Sequence, residues 1–183
     1  QKEEGFKQLE LAKAYQKYDQ LLLKNGVLDF ASLQYLTVKL FETRPSVLRE
    51  YQERFKYVLV DEYQDTNTAQ NRIVELISTR YKNLMVVGDD DQCIYKWRGA
   101  SLANILQFEE RFPAAKKIVL KENYRSTQPI LDLSYAVIQN NNPFRLECSD
   151  NLDKNLVAKG DFDSSPRPQS VHFDHYSKEV AFV

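Results

Sequence analysis

Only 5 glycines and 6 prolines interrupt the 183 residues, so little of the chain is free for loop-dense architecture, and a globular, helix-rich protein is expected. Two cysteines are too few for a disulfide framework. Cys93 and Cys148 lie far apart and share no metal-ligand spacing with each other or with His172 and His175, which points to reduced thiols in a cytoplasmic protein. No apolar run is long enough to span a membrane, and Gln1-Lys2-Glu3-Glu4 is no signal peptide. Charge of one sign is also missing: 25 Lys+Arg face 26 Asp+Glu, a net charge of -1. Any nucleic-acid surface therefore has to be a local patch. There is no internal repeat and no low-complexity tract. The chain opens without Met and stops inside the apolar run Ala181-Phe182-Val183, and it reads as a piece of something longer.

What is present is a 43% hydrophobic and 28% charged chain whose apolar period changes along its length. Residues 6–24 repeat apolar positions at helical spacing, and Asn25-Gly26 stops them. Asp29 is placed to cap a second helix bearing Phe30, Leu33, Leu36, Val38, Leu40 and Phe41, and a third helix is expected from Ser46 to Phe55. Then comes a short β-branched run, Tyr57–Val60, which ends in Asp61-Glu62. Thr66-Asn67-Thr68 offers N-caps for a helix with Ile73, Val74, Leu76 and Ile77 on its buried side. A second run, Leu84–Val87, leads into Gly88-Asp89-Asp90-Asp91-Gln92. Strand, helix and strand make the parallel α/β unit, which brings Asp61 and Asp89 to one sheet edge.

Further on, a helix is expected from Ser101 to about Phe112, a third strand over Lys117–Leu120, and a helix from Ser126 or Thr127 to about Asn140. Residues 144–168 are polar with little periodicity, and Val171–Phe173 suggests one more strand ahead of a short helix.

Three clusters carry chemistry. Burying even a neutral polar group without a partner costs about 2–7 kcal/mol, and an ionised carboxylate costs more, so acids at the end of a buried strand are there to hold something. At the carboxyl edge of a parallel sheet that is commonly a magnesium ion and a nucleotide phosphate, with Asp61 on the metal and Glu62 on the attacking water. The bland alternative is an acidic surface turn. In the second cluster, Gln92 is suited to sense a terminal phosphate. Tyr95, Lys96, Trp97 and Arg98 interleave rings with cations, as single-strand binding requires, although two core aromatics covered by an Arg would look the same. In the third, Tyr124 and Arg125 follow a strand, the ring suited to stack on adenine and the guanidinium to reach a phosphate. Here the alternative is an Arg on a carbonyl and a Tyr packed on a helix.

Taken together and in order, Val60-Asp61-Glu62-Tyr63-Gln64-Asp65, Val87-Gly88-Asp89-Asp90-Asp91-Gln92 through Trp97-Arg98-Gly99-Ala100, and Asn123-Tyr124-Arg125-Ser126-Thr127 resemble motifs II, III and IV of superfamily 1 helicases of the UvrD/Rep kind. The resemblance covers about residues 10–147 and includes Leu28-Asp29-Phe30 and Ile138-Gln139-Asn140-Asn141. It implies an α/β fold with RecA-like P-loop NTPase cores. Residues 1–55 would be a helical segment, 56–115 the later part of a first core and 116–183 the start of a second. It also implies an ATP-driven, magnesium-dependent enzyme that moves 3′ to 5′ on single-stranded DNA and unwinds partly duplex DNA. Asp61 would hold Mg2+, Glu62 would be the base, Gln92 would couple the γ-phosphate to DNA, Tyr95, Trp97 and Arg98 would contact DNA, Tyr124 would stack on adenine, and Arg125 would be an arginine finger.

Departures accompany the match. Cys93 stands where the family often has Ser. No G-x-x-x-x-G-K-[ST] phosphate loop occurs, so these residues lack a backbone cradle for the phosphates and are expected to be inactive alone. An ATPase-dead DNA-binding or interaction module of the same fold is a second reading. A phosphoryl-transfer receiver or phosphatase using Asp89-Asp90-Asp91 is a third, and it leaves Trp97-Arg98-Gly99 and Asn123-Tyr124-Arg125 unexplained.

Overall fold

The computed structural model describes residues 2–94, 99, 101–161 and 167–182. They fall into two compact units, residues 1–105 and 106–183, each mixing helices with one small parallel sheet.

In the first unit, helix α1 (Lys2–Asn25) ends where Gly26 takes φ 63°. Val27 N–H bonds the Leu22 carbonyl (3.1 Å) and Gly26 N–H the Leu23 carbonyl (3.2 Å), the paired bonds of a Schellman stop. The apolar stripe read in the sequence is helical but largely open to solvent, with Phe6, Leu9 and Tyr15 all exposed. Helix α2 (Phe30–Thr43) starts as expected on Asp29, whose carboxylate accepts from Ser32 N–H at 2.7 Å. Pro45 stands in the first turn of α3 (Pro45–Arg54), where its missing N–H leaves no bond unmade.

Strand β1 (Val58–Val60) and strand β2 (Leu84–Val86) pair in parallel, with Leu59 opposite Met85. The crossover between them is α4 (Thr68–Ser78), opened by a reciprocal capping box between Asn67 and Gln70. Helices α2, α3 and α4 pack together through the Phe41 and Tyr51 rings (5.3 Å), Gln52 Nε2 to the Leu76 carbonyl (2.8 Å) and the Arg72–Glu42 pair (2.9 Å). Tyr63, fully buried at the end of β1, donates its hydroxyl to Asn71 of α4 and so ties strand end to helix. On the other face of the sheet, Leu59 and Met85 are exposed.

Past the sheet the expected single helix is broken: α5 (Leu102–Leu106) and α6 (Phe108–Arg111) are separated at Gln107, whose φ -99° and ψ 14° depart from helical geometry. In the second unit the expected strand over Lys117–Leu120 does not form, and Ile118 and Leu120 are exposed. Pairing begins later, between β3 (Glu122–Asn123) and β4 (Val157–Ala158), the second of them within the polar stretch of little periodicity. Two backbone bonds fix it, Val157 N–H to the Lys121 carbonyl (2.8 Å) and Lys159 N–H to the Asn123 carbonyl (2.7 Å). Helix α7 (Gln128–Ile138) begins after Thr127, carries Pro129 in its first turn, and gives way to a tight turn over Gln139–Asn141. A short α8 (Leu146–Ser149) follows. Val171–Phe173 is not a strand, and α9 (Tyr176–Phe182) ends the described chain.

Helices α7 and α8 are joined by a buried ionic group. Arg145, 3% exposed, pairs with Glu147 at 2.6 Å, donates to Asn142 Oδ1 at 3.2 Å and lies 6.0 Å from the Tyr135 ring. Burial pushes the Glu147 carboxyl up, but hydrogen bonds from Tyr135 and Gln139 and the Arg145 charge outweigh it and hold the group below its usual range. A carboxyl lowered in the folded state stabilises the fold above its ordinary pKa, and that contribution is lost as pH falls through the lowered value. Removing Arg145 leaves the half-buried Glu147 carboxylate without its counter-charge, held only by Tyr135 and Gln139 among the described residues. Arg145→Ala is expected to cost about 3 kcal/mol, read as a lower urea midpoint.

Candidate functional site

The ends of β1 and β2 are locked side by side. Val87 N–H bonds the Val60 carbonyl (2.8 Å), and Tyr63 N–H returns to the Val87 carbonyl (2.9 Å). Between these two bonds the chain has to reverse, and Asp61 and Glu62 sit at the reversal. Asp61 Oδ1 accepts from Glu62 N–H at 2.9 Å, while Oδ2 takes no hydrogen bond among the described residues. Glu62 has φ 49° and ψ 45°, left-handed values that L-residues other than Asn and Asp avoid at a cost of about 1 kcal/mol or more. Both acids are exposed.

A single helical turn, Tyr63–Asp65, follows, and its Gln64 is 1% exposed. Gln64 Nε2 donates to Glu62 Oε2 at 2.7 Å, and Oε1 accepts from Asp89 N–H at 3.0 Å. Gly88 has to be glycine for this. A Cβ there would lie 2.8 Å from Gln64 Oε1 and 3.3 Å from Tyr63 N.

Asp89 in turn opens the tight turn Asp90–Gln92, accepting from Asp91 N–H (3.2 Å) and from Gln92 Nε2 (2.9 Å). The two acidic strand ends foreseen in the sequence are thus joined by hydrogen bonds that run from the Glu62 side chain through the Gln64 amide to the Asp89 backbone N–H, and from the Asp89 carboxylate to Gln92. The Asp89, Asp90 and Asp91 carboxylates lie within 4.8 Å of one another. They are hard, anionic donors of the kind a divalent cation such as Mg2+ takes, and Asp61 Oδ2 is a further one at the end of β1.

Tyr95, Trp97 and Arg98, the DNA-contact residues expected from the sequence, lie outside the described residues. Both flanks of their segment are tied to the turn after Glu62. Cys93 Sγ donates to the Gln64 carbonyl at 3.5 Å. The Thr66 carbonyl accepts from Ser101 N–H (3.2 Å) and from Asn104 Nδ2 (2.9 Å). Asn104, 2% exposed, was not singled out in the sequence, since a lone polar residue in a short helix carries no signal there.

In the second unit, Tyr124 and Arg125 occupy the turn between β3 and α7. Asn123 Oδ1 accepts from both Arg125 N–H (2.9 Å) and Ser126 N–H (2.8 Å), so the turn is held by the side chain that precedes it. Tyr124 is exposed and donates its hydroxyl to Glu122 at 2.7 Å, an interaction that raises its pKa above the usual phenol value. The Arg125 side chain is exposed and has no carboxylate within ion-pair distance among the described residues. Neither cysteine is in a disulfide, and no described helix is long and apolar enough to cross a membrane.

Comparison with known proteins converges on one family. Residues 1–113 match the family described as UvrD/REP helicase N-terminal domain. The ATP-dependent DNA helicase PcrA of Bacillus subtilis (strain 168) is 46% identical over 157 residues, 86% of this chain and 20% of that protein. The ATP-dependent DNA helicase PcrA of Staphylococcus aureus (strain Mu50) is 51% identical over 131 residues, 72% of this chain and 18% of that protein. That of Leuconostoc citreum is 52% identical over 132 residues, again 72% and 18%. The chain spans about a fifth of the length of these relatives. With more than half of its residues matched, the chain belongs to the UvrD/REP helicase family.

Proposed function

We propose that this chain is the part of an ATP-dependent DNA helicase that carries the water-activating wall of the nucleotide site and a single-stranded DNA contact, and that the whole enzyme moves 3′ to 5′. The observation that carries the reading is the Glu62–Gln64–Asp89–Gln92 chain, which couples two acid-ended parallel strands at one sheet edge. In this reading both units are parts of RecA-like cores, 56–115 the first and 116–183 the second, with 1–55 a helical segment before them.

Asp61 holds a magnesium ion, which when bound offsets the charge of the phosphates. Glu62 orients a water molecule and accepts its proton as the water oxygen attacks the γ-phosphorus and ADP departs. Gln92 reads the γ-phosphate and links it to the segment bearing Tyr95, Trp97 and Arg98, on which bases and backbone of single-stranded DNA rest. Tyr124 stacks on the adenine, and Arg125 meets the charge that builds on the transferring phosphoryl group. The names of the relatives, the family match and the hard oxygen donors around Asp61 and Asp89 support ATP, Mg2+ and DNA as the ligands.

The 183 residues contain no phosphate loop, so the site is completed by residues outside them. The full-length protein is expected to hydrolyse ATP with strong stimulation by single-stranded DNA, and the 183-residue chain alone to show none. A steady-state ATPase assay of both, with and without oligonucleotide, checks this. Robust DNA-stimulated turnover by the short chain would refute it.

A further inference from the structure

We propose that Gln64 is a positioning residue for ATP hydrolysis, holding the Glu62 carboxylate against the Asp89 turn so that the geometry of that turn sets the geometry of Glu62. The inference rests on the reading of Glu62 as the group that activates water.

Glu62 is exposed, and an exposed Glu ordinarily samples many rotamers. Here one of its oxygens is fixed by a charge-assisted bond from an amide that is 1% exposed, and the amide has no freedom of its own. A backbone N–H only donates and an ionised carboxylate only accepts. Gln64 therefore has to present Oε1 to Asp89 N–H and Nε2 to Glu62, and no flipped arrangement satisfies both. Gly88 leaves the space that the amide fills. The Gln64 main-chain carbonyl accepts from Cys93 Sγ as well, a bond that does not depend on the side chain, so residue 64 touches the acid turn, the start of the second acidic turn and the end of it.

No other side chain makes both amide bonds. Asn is one methylene short, an ionised Glu cannot donate, and Met fills the volume while making neither bond. A displacement of about 1 Å in a reacting group can cost about a hundredfold in rate. A bond that removes the rotamers of Glu62 is worth keeping for that reason.

The test uses the full-length protein containing this chain. Gln64→Met is expected to lower kcat about ten- to a hundredfold, with KM for ATP within about twofold of the parent. Gln64→Glu keeps the volume and the acceptor for Asp89 N–H, but replaces the amide donor with a carboxyl that repels Glu62 when ionised and shares a proton with it when not. It is expected to show the same loss, and it decides the matter should Gln64→Met fail to fold.

In single-turnover measurements on the Glu62→Gln background, Gln64→Met should cost nothing further, because it acts through Glu62. An equal loss in both backgrounds means a structural role and overturns the proposal. So does parent-like turnover in Gln64→Met or in Gln64→Glu. Parent-like turnover in Glu62→Gln alone overturns the reading of Glu62 itself, a different failure with its own signature.

Discussion

Glu62→Gln in the full-length protein is expected to reduce ATP turnover about 10²–10⁴-fold while leaving affinity for single-stranded DNA unchanged. The substitution keeps the shape of the side chain and removes its capacity to accept a proton. It also turns the charge-assisted bond from Gln64 into a neutral amide contact, so part of the fixed geometry goes with the charge. ATP binding should survive, since Asp61 and the phosphate contacts outside this chain are untouched. Pre-steady-state binding of a fluorescent ATP analogue, set beside turnover, separates the two effects. Weakened nucleotide binding with proportionate turnover would assign Glu62 to binding instead of to chemistry.

Arg125→Ala is the second large effect, an expected loss of about 10³–10⁵ in kcat by the scale of arginine fingers. Three features of its turn favour a residue held ready for a ligand. The backbone is fixed by Asn123 Oδ1 on two successive N–H groups. The side chain is exposed, and no carboxylate of the described residues pairs with it. By contrast Lys117 and Lys121 in the same unit are taken up by Asp150 and Asp153. Lysine at position 125 keeps the charge and loses the planar fork, so Arg125→Lys should recover only a small part of the rate. Full recovery by Lys, measured as kcat at saturating ATP and DNA, would show that charge alone is at work and that the finger reading is wrong.

The parts of the fold that were legible in advance are those where local chemistry and packing agree. An apolar β-branched run stopped by acids became β1, and the carboxylate of Asp29 and the amide of Asn67 cap helices where a cap was expected. Lys117–Leu120 misled because β-branched content signals a surface suited to pairing, without supplying a partner. Strand β4 was missed for the opposite reason: two residues held by backbone bonds leave no periodicity in side chains. At the site, the acids and Gln92 announced themselves by position. Gln64 did not, because a buried amide between two turns has a meaning only once the turns face each other.

The left-handed backbone of Glu62 has a consequence for how such a chain can be altered. Gly would occupy that position without strain, and Asn with little. Screening variants for heat resistance alone therefore rewards loss of the very carboxylate proposed to activate water. On that proposal robustness and work pull in opposite directions at one residue, and any programme that hardens this protein has to hold position 62 fixed by decree.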